Sequence, residues 1–119
     1  MAVARVAGVL ANRALFATTG MRPAGRALVR ALGSEHEDVR AVAGMSLVQT
    51  GRRAEPVLVE AAERRENLPL VLTILGDIGD PACEPLLQRF TDDPDPEAAR
   101  AAREAIRILH ARGELQPGT

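Results

Sequence analysis

The chain has no Lys, no Trp and no Tyr, two Phe and a single Cys. Each shortage excludes something. With so few aromatics the core must be built mainly from Ala, Leu and Val, and such small side chains favour close-packed short helices over sheets rich in aromatic and β-branched residues. One cysteine, Cys83, excludes an intramolecular disulfide and fits a reducing, cytoplasmic setting. No run of about 20 apolar residues occurs, so no membrane-spanning helix is expected. Acids are absent from residues 1–33, which carry Arg5, Arg13, Arg22, Arg26 and Arg30, while all 16 Asp and Glu lie beyond them. This basic start resembles a targeting peptide, but Arg5 and Arg13 interrupt any signal-peptide core, and a first helix pair is the better reading.

What is present is ordered by a repeat. At 119 residues, 46% hydrophobic and 26% charged, the chain fits one soluble globular domain. Gly20, Gly51, Gly79 and Gly113 recur about every 30 residues as helix stops, because glycine adopts the left-handed closing conformation without strain. Pro23, Pro56 and Pro85 follow at helix starts, where the missing N–H has no partner to lose. Leu47, Leu75 and Leu109 keep step with the glycines. Ser34 with Glu37 has capping-box spacing, and Asn67, Asp80 and Asp95 stand where N-caps are needed.

Between the stops the apolar residues fall at helical spacing. One face of the helix over 35–50 holds Val39, Val42, Ala43, Leu47 and Thr50, and the next helix holds Ala54, Val57, Leu58, Ala61 and Ala62. Residues 68–78 are apolar nearly all round, which predicts a helix covered on several sides. The last helix, 96–112, sets Ala98, Ala101, Ala102, Ala105, Ile106 and Leu109 against Arg100, Arg103, Glu104 and Arg107, as a solenoid's terminal cap requires. The first helix, 2–17, is predicted to bury Val3, Val6, Ala7, Leu10 and Ala14, with Val9, Leu15 and Phe16 outside that face.

The segment from Leu75 to Leu87, reading Leu-Gly-Asp-Ile-Gly-Asp-Pro-Ala-Cys-Glu-Pro-Leu-Leu, resembles the inter-helix turn of HEAT-like repeats of the phycobilisome-lyase type. Asp38-Val39-Arg40 resembles their helix start, and Asp93 to Glu97 their Asp-Pro loop. Leu70-Val71-Leu72 and Ala101-Ala102 depart from the usual Val-Arg starts. The resemblance implies an all-α superhelix, a short HEAT-repeat solenoid of about seven helices, and is nearly uninformative about function. The expected domain is 1–113, in units 1–33, 34–66, 67–92 and 93–113, with 114–119 as a flexible tail.

Chemistry is sparse. His36, His110 and Cys83 fall in three units, so no metal site is expected, and Cys83 on the stripe of Leu86, Leu87 and Phe90 reads as a buried, unreactive thiol. His36-Glu37 is similar to the iron-binding pairs of deoxyhypusine hydroxylase, but the later units hold Pro69 and Asp95–Glu97 at that position. No catalytic residue and no cofactor are expected. Arg22, Arg26 and Arg30, at i, i+4 and i+8, form a basic stripe that would continue through Arg53 and Arg64 to Arg89 along second helices lining the concave face. Glu60 and Glu63 interrupt it, and the absence of Tyr and Trp argues against nucleic acid. The stripe reads first as an ordinary solvated face and, as the alternative, as a groove for an acidic protein segment; the expected role is a non-enzymatic protein- or peptide-binding scaffold. The alternatives are a lyase-like accessory enzyme acting on a bound cofactor and a homodimer through the N-terminal helix.

Overall fold

The structure, a computed structural model, describes residues 2–19 and 22–115. Seven α-helices occur among them: α1 (Ala2–Thr19), α2 (Arg22–Ala31), α3 (Glu37–Thr50), α4 (Glu55–Glu63), α5 (Leu68–Ile78), α6 (Glu84–Gln88) and α7 (Pro96–Leu115). Short 3-10 turns at Gly51–Ala54 and Pro81–Cys83 lead into α4 and α6. No strand is present among the described residues, and the fold is the expected all-α solenoid. The first helices stack α1 on α3, α3 on α5 and α5 on α7, while α2 packs on α4 as a second layer. Between the layers Leu28, Leu47, Leu58, Leu72, Leu75 and Leu87 are fully buried.

The landmarks act locally much as their chemistry dictates. Pro56 and Pro85 stand in the first turns of α4 and α6. The side chains of Asp80 and Asp95 accept the N–H groups of Ala82 and Glu97, each at 3.0 Å. Gly79 closes α5 at φ 79°, in the left-handed region that glycine occupies freely. The faces predicted for α3, α4 and α7 are the buried ones.

Four expectations change. Gly113 does not stop the last helix, which runs through it to Leu115; an isolated helical glycine weakens a helix by only about 1 kcal/mol relative to Ala. Ser34 lies two residues before the N-cap, so no capping box forms and its Oγ accepts the His36 N–H instead. Asn67 makes no cap either: its side chain donates to the Val29 carbonyl at 3.1 Å, tying the start of α5 back to α2. By contrast α5 is covered on several sides as expected, by α3, α4 and α7, with Leu70 left 44% exposed. On α1 the buried face centres on Val9, whereas Ala7, Leu10 and Ala14 are exposed. A helix apolar on most sides carries no stripe from which its inward face could be read. Gly20 and the side chains of Val3, Leu15 and Phe16 lie outside the described residues.

Candidate partner-binding surface

The basic residues of the second helices do not form an even stripe. Helical spacing brings Arg22 and Arg26 to the side of α2 that faces α4, and α4 presents Glu60 to them. Arg26 donates through Nε to Glu60 Oε1 at 3.1 Å and through a second nitrogen to Oε2 at 3.4 Å. Arg22 reaches the same Oε2 at 3.4 Å, and Arg64, one turn along α4, reaches Oε1 at 3.2 Å. Three guanidinium groups therefore surround one carboxylate. The Arg26 hydrogen bonds, with the other two charges, hold the Glu60 carboxyl below its usual range. Arg30 joins the group differently, lining with Arg26 and Arg64 a small cavity between the two helices. Arg53 lies apart in the turn before α4, and the Arg89 guanidinium sits 5.9 Å from the Phe90 ring centre.

A second cluster was not legible in the sequence. Glu55 begins α4 and Asp80 caps the turn before α6, and stacking of the units brings both against Cys83. One ligand atom from each lies within 4.8 Å of the others, a partial donor set that would leave room for water on a cation. Burial, then the neighbouring Asp80, raises the Glu55 carboxyl, whose Oε2 is buried with no hydrogen-bond partner. Asp80 is lowered, first by the Ala82 N–H, and Arg52 approaches it at 3.7 Å. Burial beside these acids pushes the Cys83 thiol up to about 12, so it is the inert thiol its apolar neighbours implied. The signal was an acid directly before Pro56 and before Pro81, Glu55 and Asp80, but contact across units is invisible along the chain. His36 is the N-cap of α3 with a half-exposed ring, and His110 Nε2 lies 2.8 Å from Glu84 Oε1, away from Cys83's acids.

The opposite, first-helix layer exposes apolar side chains beside charged ones, Arg100 and Glu104 at one hollow and Glu37 and Arg40 at another. Leu70 borders two shallow hollows of about 410 and 350 Å³, one against α7 and one against α3, and Met45 beyond them is 60% exposed. The sequence did not mark Leu70 as exposed, since it sits in a helix that reads as apolar nearly all round.

The family model for HEAT repeats matches residues 25–107, from α2 into α7. The chain belongs to the HEAT-repeat family. No curated protein and no solved structure matches it. In this HEAT-repeat protein the matched span contains the whole Glu55 grouping and, of the Glu60 grouping, Arg26, Arg30, Glu60 and Arg64, while Arg22 lies three residues before it. No helix among the described residues is long and apolar enough to cross a membrane.

Proposed function

We propose that this HEAT-repeat chain is a non-enzymatic, cytoplasmic interaction module that takes a protein or peptide partner on the α2–α4 face. The observation that carries the reading is the convergence of Arg22, Arg26 and Arg64 on Glu60 alone, with Arg30 alongside. Two carboxylates, Glu60 and Glu66, against four arginines leave the cluster with excess positive charge on exposed side chains, which steers and orients an acidic surface more than it adds raw affinity. Nucleic acid fits less well, since acids interleave with the Arg and no Tyr or Trp is present for base stacking. The test is affinity capture from the native source with wild type and an Arg26→Glu, Arg30→Glu double variant. Loss of a specific partner in the variant is the expected result; recovery of identical partners removes the reading.

Two other readings have an observation of their own. A lyase-like accessory enzyme of the phycobilisome-lyase type would use the Glu55, Asp80 and Cys83 group, although a thiol held near 12 is a poor nucleophile. Self-association would use the exposed apolar positions Ala7, Leu10 and Ala11 of α1.

A further inference from the structure

The cavity between α2 and α4 measures about 40 Å³ and is lined by Arg26, Arg30 and Arg64, by the carboxylate-bearing Glu60 and Glu66, and by an apolar wall of Val29, Val57 and Ala61. One water needs roughly 10–15 Å³ of such space, so the cavity accommodates about three non-hydrogen atoms. That is the size of a carboxylate head and less than a phosphate, with its five atoms. Charge points the same way. Glu60 and Glu66 offset two of the four positive charges of Arg22, Arg26, Arg30 and Arg64, leaving an excess for an incoming anion. Donors also remain, because Arg22 gives Glu60 one N–H and Arg26 two, of about five on each guanidinium.

We infer that this cavity is the receptor for a single partner carboxylate, an Asp or Glu side chain of an acidic segment, seated between Arg26, Arg30 and Arg64 beside Glu60. The inference rests on the reading of the α2–α4 face as the partner surface and adds the chemistry of what enters it. Glu60 stays in place as the internal anion that fixes the Arg22 and Arg26 side chains. Its charge also sets the selectivity, since an anion with poor geometry meets repulsion without the compensating hydrogen bonds. Arg22, Arg26 and Arg30 follow one another about every 6 Å along α2. An extended segment with acids at alternate positions presents carboxylates about 6.6–6.8 Å apart, a match for neighbouring steps of that row.

The experiment is NMR of the Arg side-chain Nε–Hε groups in the full chain. The titrants are a blocked Ala-Glu-Ala-Glu-Ala peptide, its Gln and phosphoserine counterparts, and inorganic phosphate. The Glu peptide is expected to move the Arg26, Arg30 and Arg64 signals, the Gln peptide to move none, and both phosphate probes to bind more weakly. Arg30→Ala, whose side chain is exposed and not part of the core, should weaken the Glu peptide about three- to tenfold, the range of an exposed charge-assisted contact. A phosphate probe binding as tightly as the Glu peptide, equal shifts at Arg100 and Arg107, or displacement of the Glu peptide by a single-stranded oligonucleotide would each overturn the inference. If the double variant loses its captured partner while the Glu peptide leaves these Arg signals unmoved, only the carboxylate receptor fails. If capture is also unchanged, the reading of the face fails with it.

Discussion

At Glu55 burial and the nearby Asp80 both favour the protonated carboxyl, so its folded value stands above the ordinary 4.5. The native chain then holds a proton that the unfolded chain has released, and stability falls as pH rises through 4.5 towards the raised folded value. Glu55→Gln should therefore raise the urea midpoint near neutral pH and change it little below that window. A variant less stable at neutral pH would show that the buried Oε2 has a partner in solution. Asp93 has the opposite sign. Its side chain is 6% exposed and paired with both terminal nitrogens of Arg65 at 2.7 and 2.8 Å, and that pair holds it down at about 2 against an ordinary 3.8. The stabilisation is complete above 3.8 and lost as pH falls towards about 2. Replacing Arg65 by Met should remove that part of the acid slope, read as urea midpoints across the acid range.

At the scale of elements, the α5–α7 crossing fixes the C-terminal half. A Cβ on Gly76 would stand 2.6 Å from Ala105 Cβ and 2.7 Å from its Cα, and backbone cannot yield as a flexible side chain can. Gly76→Ala should cost about 1–3 kcal/mol by forcing the helices apart. Leu75→Ala, one residue earlier and fully buried, should cost about 2–5 kcal/mol by leaving a void. Denaturant unfolding measures both, and a loss below 1 kcal/mol for Leu75→Ala would place this helix wrongly. The inward face of α7 was legible because its apolar stripe opposes Arg100, Arg103, Glu104 and Arg107, and those of α3 and α4 from the helical spacing of Val39, Ala43 and Leu47 and of Ala54, Leu58 and Ala61. That of α1 was not, since Val, Ala and Leu fall on most of its sides. For the site, the spacing of Arg22, Arg26 and Arg30 was readable as one helix face. Their convergence with Arg64 on Glu60 depends on how α2 meets α4, 34 residues apart for Arg26 and Glu60, and no local pattern records it. The same holds for Asn67, whose side chain serves Val29 and not the helix it begins.

Across the whole molecule the two ends differ. α7 turns Arg100, Arg103, Glu104 and Arg107 outward, whereas α1 leaves Ala7, Leu10 and Ala11 uncovered, with Leu10 44% exposed. If α1 mediates self-association, light scattering should give a dimer that Leu10→Arg converts to a monomer with an unchanged helical spectrum; a monomer at all concentrations removes that reading. The isologous, α1-to-α1 arrangement is the one expected, because a head-to-tail contact would press apolar positions onto the charges of α7. The same polarity gives the stack a direction of growth. A designed helix pair fused ahead of α1 would find an apolar surface ready to receive it, while one fused behind α7 would first need its arginines rewritten. The solenoid is thus a template extensible from one end only, which makes its amino-terminal side the natural place to graft further repeats.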